Sequence, residues 1–123
     1  MDPATIYIVD EHESVRSALA ERLGHASNLR VIGHADTPSN VLKDVEENKP
    51  NIVLLEVKRK DGRGLELLRQ LAELPDRPHL VVLTSYPTEW EEKAAKRAGA
   101  DAYLLKDIDS ADLIDQIAKL AEA

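Results

Sequence analysis

Short apolar, β-branched runs alternate along the chain with longer stretches in which apolar residues recur at helical spacing. The runs are Thr5–Val9, Leu29–Gly33, Asn51–Glu56, His79–Thr84 and Asp101–Leu105. They return at intervals of roughly 20 to 28 residues, the spacing of βα units. Ile52-Val53-Leu54-Leu55 and Leu80-Val81-Val82-Leu83 are apolar at every position. A parallel strand reads that way when helices cover both faces of its sheet.

The intervening segments carry one apolar stripe each. Val15, Ala18, Leu19, Arg22 and Leu23 share a helical face, with the Arg22 head expected to snorkel into solvent. Leu65, Leu68, Leu71 and Ala72 form a second stripe. Leu113, Ile114, Ile117, Leu120 and Ala121 form a third. Thr37-Pro38 places a capping hydroxyl before a proline suited to the first helical position. Thr88 with Glu91 three residues on reads as a capping box. Glu89, Glu91 and Glu92 precede Lys93, Lys96 and Arg97, an order that complements the helix dipole. Gly24 and Gly99 stand where helices can end.

Five strands and five helices in strict alternation, joined by right-handed crossovers, predict an α/β fold with a doubly wound parallel sheet in the order 2-1-3-4-5. The 123 residues suit one domain spanning 1–123, with its core over about 5–120. The sequence shows no linker, repeat or low-complexity segment.

Composition narrows the function. Sixteen basic against twenty-three acidic residues leave a net charge of −7. A nucleic-acid-binding domain carries a basic face, so direct DNA or RNA contact is not expected of this one. There is no cysteine, hence no disulfide framework and no thiolate chemistry. No apolar run approaches the ~20 residues that span a bilayer, and Met1-Asp2-Pro3-Ala4 lacks the basic start of a signal peptide. A cytoplasmic location is the expectation.

In open α/β sheets ligands bind beyond the carboxyl ends of the strands, at the switch point, here between strands one and three. Strand one ends in Asp10-Glu11, strand three in Glu56, strand four in Thr84-Ser85 and strand five in Lys106. Each alone reads as a cap, a turn residue or a solvated end. Together they place three carboxylates, a hydroxyl and an ammonium at equivalent ends of four units. Clustered carboxylates raise one another's pKa unless a cation compensates. Mg²⁺ takes such oxygens and keeps waters that a phosphoryl group can replace, and a lysine can hold a phosphoryl oxygen. The set is suited to phosphoryl transfer by positioning and electrostatics.

With these residues in place, the chain resembles the response-regulator receiver domains of two-component phosphorelays from about Thr5 to Leu120. The resemblance rests on Ile8-Val9-Asp10-Glu11-His12, Val53-Leu54-Leu55-Glu56, Gly64-Leu65-Glu66-Leu67-Leu68, Val82-Leu83-Thr84 and Ala98-Gly99-Ala100-Asp101-Ala102-Tyr103-Leu104-Leu105-Lys106-Asp107. The last two are most similar to receivers that precede helix-turn-helix output domains. That favours the front part of a longer transcription regulator over a stand-alone module. The fold implied is flavodoxin-like (βα)5. By the resemblance, Asp10 and Glu11 match the acidic pair that helps hold Mg²⁺, and Glu56 occupies the phosphoacceptor position. Thr84 matches the switch hydroxyl, Tyr103 the aromatic rotor and Lys106 the family's phosphate-binding lysine. The Lys58 backbone carbonyl matches a metal ligand, completing the set Asp10, Glu11, Glu56 and Lys58.

Two departures matter. The family has aspartate where Glu56 stands, and one extra methylene moves the carboxylate by about a bond length; displacement near 1 Å can slow in-line transfer on the order of 10²-fold. The longer arm can reach toward Lys106 or into the metal's place. The family often has Met-Pro where this chain has Arg59-Lys60. The basic run Lys58-Arg59-Lys60 reads either as a solvated loop or as a side chain leaning over the acidic crevice in place of Mg²⁺.

The leading expectation is therefore a pseudo-receiver, not an enzyme, signalling by conformation-dependent protein contact. The second is an ordinary receiver of a DNA-binding regulator carrying an Asp-to-Glu substitution and served by a histidine kinase. A flavin-binding protein on the same layout would need a hydroxyl- and glycine-rich loop where Asp10-Glu11-His12-Glu13 stands. A haloacid-dehalogenase-type phosphatase would need Asp-x-Asp there. His12 is expected to start helix one, and Trp90 to be half-buried. The family's switching face maps to Glu89–Ala98, Asp101–Leu105 and Asp109–Glu122, through which a homodimer can form.

Overall fold

The alternation of apolar runs and amphipathic stretches becomes an alternation of strands and helices in the computed structural model, which describes residues 2–122. In chain order the elements are β1 (Ala4–Val9), α1 (Glu13–Gly24), β2 (Leu29–Ala35), α2 (Pro38–Asn48), β3 (Ile52–Leu55), α3 (Gly64–Ala72), β4 (His79–Thr84), α4 (Glu89–Ala98), β5 (Ala102–Leu105) and α5 (Ser110–Glu122). The strands form one parallel sheet in the order β2-β1-β3-β4-β5. Strand β2 runs two residues past its predicted end, pairing His34 and Ala35 with Ile8 and Val9. Strand β3 is shorter than predicted, because Asn51 and Glu56 continue the chain on either side as loop ends.

Period-two alternation in the strands sorts the apolar residues onto two faces. Tyr7, Val9, Val53, Leu55, Leu80 and Val82 pack with Val41 and Val45 of α2, Leu67, Leu68 and Leu71 of α3, and Ala95 of α4. Ile6, Ile8, Ile52, Leu54, Val81 and Leu83 pack with Leu19 and Leu23 of α1 and Leu113 and Ile117 of α5. All four residues of β3 are buried, as expected of a strand covered on both sides. Full burial of each large aliphatic side chain contributes about 1.5–3 kcal/mol. The α3 stripe is Leu67, Leu68 and Leu71, with Leu65 only partly buried.

Helix ends follow the sequence in part. Thr88 Oγ1 accepts from the Glu91 N–H at 3.0 Å, the forward half of the capping box. Thr37 has extended N-cap backbone before Pro38, but its side chain accepts no capping bond. Gly99 closes α4 at φ 122°, and a Cβ there would meet the Ala72 Cβ at 2.5 Å. Gly64 starts α3 so close to the loop that a Cβ would lie 1.8 Å from the Val57 carbonyl oxygen. That contact lets α3 begin directly beneath the segment leaving β3.

Arg22 corrects the sequence reading. Its guanidinium does not snorkel into solvent. It donates to the Lys106 carbonyl at 3.1 Å, to the Ser110 Oγ at 3.0 Å and to the Ile108 carbonyl. Two carbonyls of the β5–α5 loop and the first hydroxyl of α5 are thereby tied to α1. Trp90 is also corrected: it is 69% exposed and not half-buried, while its neighbour Glu91 takes the buried side of the first turn of α4. No described helix is long and apolar enough to cross a membrane.

Candidate functional site

The parallel register brings the strand ends level. Val9 pairs with Leu55, Leu55 with Val82, and Thr84 with Leu105. The ladder runs one bond further, with the Glu56 N–H donating to the Val9 carbonyl at 3.1 Å and the Lys106 N–H to the Thr84 carbonyl at 2.9 Å. Asp10, Glu56, Thr84 and Lys106 therefore leave neighbouring strands at the carboxyl edge, around the switch point between β1 and β3.

Asp10 is almost wholly buried. Its Oδ2 accepts from the Lys106 ammonium at 2.7 Å, and its Oδ1 from the His12 N–H at 2.9 Å, with the His12 ring Nδ1 at 3.1 Å. Burial pushes the Asp10 carboxyl up, and Lys106 with the His12 amide reverses this, so it sits below the ordinary carboxylate value. His12 thus does precede α1, as predicted, and its backbone and ring both contact Asp10 Oδ1. Arg16 of α1 donates to the Asp10 carbonyl at 2.7 Å and so anchors the same turn.

Glu56 is buried to a similar degree, at 9% exposure. Its Oε1 stands 3.2 Å from the Lys106 ammonium, and its Oε2 accepts from the Lys58 backbone N–H at 3.1 Å. The longer arm thus reaches toward Lys106. Burial pushes the Lys106 pKa down, but Asp10 and Glu56 outweigh it, and the net shift is upward. Glu11 turns the other way and accepts from the Lys60 N–H at 2.8 Å.

Thr84 is fully buried, and its hydroxyl oxygen accepts from the Lys58 ammonium and from the Tyr86 N–H, each at 3.2 Å. Tyr103 donates its hydroxyl proton to Glu91 Oε1 at 2.6 Å. Burial and the Glu91 carboxylate push the Tyr103 phenol up to about 12. Asp10, Glu56 and Lys106 are therefore in direct contact, while Glu11 and Thr84 are held by loop donors beside them.

The basic run matches neither reading of it in full. Lys58 turns its ammonium to Thr84, the Tyr86 carbonyl and Glu91. Arg59 is not a solvated side chain: it is 4% exposed, paired with Asp61 at 3.2 Å and bonded to the Asp36 carbonyl. Among the described residues, no side chain of the run bonds to Asp10, Glu11 or Glu56. Three carboxylates suit a hard cation by type. As they stand, their oxygens meet Lys106, His12 and loop amides, and no described group of three acidic or histidine side chains is arranged to hold a metal.

Sequence reasoning missed Glu91 and Arg22 as parts of this region. Glu91 carried only a capping signal, and Arg22 sits 84 residues from the carbonyl that it binds in Lys106. Spacing rules reach one helical turn, so neither partner was legible locally.

Comparison with known proteins agrees with this layout. The chain is 36% identical over 109 residues to the DNA-binding transcriptional activator DevR/DosR of Mycobacterium tuberculosis, covering 88% of the chain and 50% of that protein. It is 30% identical over 120 residues to the nitrate/nitrite response regulator protein NarL of Escherichia coli, covering 98% of the chain and 56% of that protein. The chain thus spans about half the length of these relatives. A solved two-component response regulator of the LuxR family from Aurantimonas superposes with a TM-score of 0.89 at 22% identity, over 98% of this chain and 86% of that one, a likeness of fold. Residues 6–118 match the response regulator receiver domain, and the chain belongs to that family.

Proposed function

We propose that this receiver module is a pseudo-receiver, in which Glu56 takes no phosphate and signalling proceeds by conformation-dependent protein contact. One observation carries the reading. Both oxygens of Glu56 are engaged, one by the Lys106 ammonium at 3.2 Å and one by the Lys58 amide, and the residue is only 9% exposed. An acceptor must present a free oxygen in line with the donor, and this carboxylate is tethered on a longer arm. Its single charge also falls short of the nearly two charges and three acceptor oxygens of a phosphoryl group. Glu56 is thus an internal counterion for Lys106 and not a full mimic of the phosphorylated state.

Within this reading Thr84 and Tyr103 are the switch residues, and Lys106 is the cation that neutralises the acidic pocket. Receiver domains generally bind Mg²⁺ at the phosphorylation site. Asp10, Glu11, Glu56 and the Lys58 carbonyl are the oxygens that would hold it, once Glu11 gave up the Lys60 amide and Asp10 and Glu56 gave up Lys106, and it would then add positive charge against the clustered carboxylates. The module itself performs no catalysis and works in the cytoplasm. A histidine kinase or another signalling protein is the partner class, and the relatives support a DNA-binding output domain in the parent protein. The α4-β5-α5 face, where Trp90 and Leu105 are exposed, is the surface for that contact or for a homodimer.

The test is intact mass after incubation with Mg²⁺ and a small phosphodonor, with Glu56→Asp run in parallel. Phosphoryl gain by the Asp variant alone is the expected result. Gain by the wild type overturns the reading and makes this an ordinary phosphorylatable receiver. Gain by neither means that the pocket is altered beyond Glu56.

A further inference from the structure

Three parts of the fold meet at one buried carboxylate outside the acidic pocket. Glu91 lies in the first turn of α4 and is 6% exposed. Lys58, from the loop after β3, places its ammonium 3.1 Å from Oε1 and 3.0 Å from Oε2. Tyr103 of β5 donates to Oε1 at 2.6 Å. The same ammonium reaches the switch hydroxyl of Thr84 at 3.2 Å and the Tyr86 carbonyl.

A capping-box glutamate ordinarily folds back onto the amide of its own N-cap. Glu91 does not. The Thr88 N–H instead meets the Tyr103 hydroxyl at 3.4 Å, so tyrosine has taken the place that the glutamate would fill. The helix is already capped by Thr88 Oγ1, so α4 does not require the Glu91 carboxylate for its own start. Burying a carboxylate is costly unless it is paired and hydrogen-bonded. Lys58 supplies the charge and Tyr103 the strong hydrogen bond. Removing Lys58 leaves Glu91 buried without its cation, and the favourable response is for Glu91 and Tyr103 to rearrange.

We infer that Glu91 is a latch, a positioning residue that ties Lys58, two residues beyond the acceptor position, to Tyr103 and α4 and holds Thr84 and Tyr103 in one arrangement without a phosphoryl group. The latch deepens, and rests on, the reading that Glu56 carries no phosphate. It makes the state of the α4-β5 face depend on an internal cation, Lys58, whose side chain is 38% exposed and reachable from solvent.

The experiment compares the wild-type chain with Lys58→Met, Lys58→Arg, Glu91→Gln and the double variant Lys58→Met/Glu91→Gln. The readouts are the Tyr103 ring and α4 amide NMR signals and the emission of Trp90, the single tryptophan, adjacent to Glu91. Lys58→Met is expected to shift Tyr103 and α4, and Lys58→Arg to keep the wild-type signals. The double variant is expected to shift no more than either single, the mark of residues acting through one contact. Shifts confined to the loop after β3, or summing in the double variant, overturn the latch. Should Glu91→Gln fail to fold, Lys58→Met against Lys58→Arg decides alone: displacement of Tyr103 in both, or in neither, overturns it. Intact mass of the same samples with phosphodonor separates the two proposals. A phosphorylated wild type removes the pseudo-receiver reading, while the unmodified protein's Tyr103 signals still judge the latch.

Discussion

Asp10 and Lys106 hold each other ionised where neither charge alone would be favoured. Burial raises the Asp10 pKa, and the Lys106 ammonium with the His12 amide takes it below the ordinary value. Burial lowers that of Lys106, and Asp10 with Glu56 takes it above. The signs define a pH window. A carboxyl depressed in the folded state contributes stability above its unfolded value, near pH 4, and loses it as pH falls through the folded value. A raised lysine contributes below its unfolded value, near pH 10.4, and loses that as pH rises through the folded value. Urea midpoints should therefore hold through neutral pH and fall at both ends. Asp10→Asn should lower the plateau by about 1–3 kcal/mol, having left a buried ammonium with one partner fewer. It should also flatten the acid limb; an acid limb superimposing on the wild type would remove Asp10 from that role. Glu56 was legible in the sequence as a departure at the acceptor position. Which neighbour its longer arm would meet was not, because that depends on where β5 delivers Lys106.

At the scale of elements, α1 is more than a cover for the sheet. Arg22 places one guanidinium on the Lys106 carbonyl, the Ile108 carbonyl and the Ser110 hydroxyl, and so fixes the turn from which the Lys106 side chain departs. Arg22→Met keeps the aliphatic stem and removes the donors. Its expected cost is about 2 kcal/mol, the range for hydrogen bonds made by a charged group. Amide exchange should quicken over residues 106–110 and stay unchanged in β2, at the far edge of the sheet. Equal quickening in both regions would mean a general loss of stability and no local tie. Capping followed the sequence unevenly. Thr88 caps α4, while Thr37 has the right backbone and leaves its hydroxyl out of the cap. A capping motif states which bonds are available and not which of them form.

For the whole molecule, the sheet divides the interior into two separate cores. Leu68 lies on the face covered by α2, α3 and α4, and Ile117 on the face covered by α1 and α5. Leu68→Ala should cost about 2–5 kcal/mol and Ile117→Val about 0.5–1.5 kcal/mol, since one opens a large cavity and the other a small one. With a sheet between them, the double variant should equal the sum within about 0.5 kcal/mol in equilibrium unfolding. A larger discrepancy would mean that strain passes through the sheet.

The sequence by itself determined the alternation of elements, the parallel sheet and its order, because apolar periodicity and right-handed crossovers leave few other arrangements. It also determined which residue types gather at the strand ends, since Thr84 ends its strand and the others follow theirs by one or two positions. The tertiary structure decided the partners. Lys106 takes both Asp10 and Glu56, Arg59 is drawn in by Asp61 and the Asp36 carbonyl, and Lys58 crosses to Thr84 and Glu91. These choices turn on distances of a few ångströms between segments far apart in the chain. Local pattern sets which face a side chain occupies, and only the packed fold sets how far its charged end lies from the next.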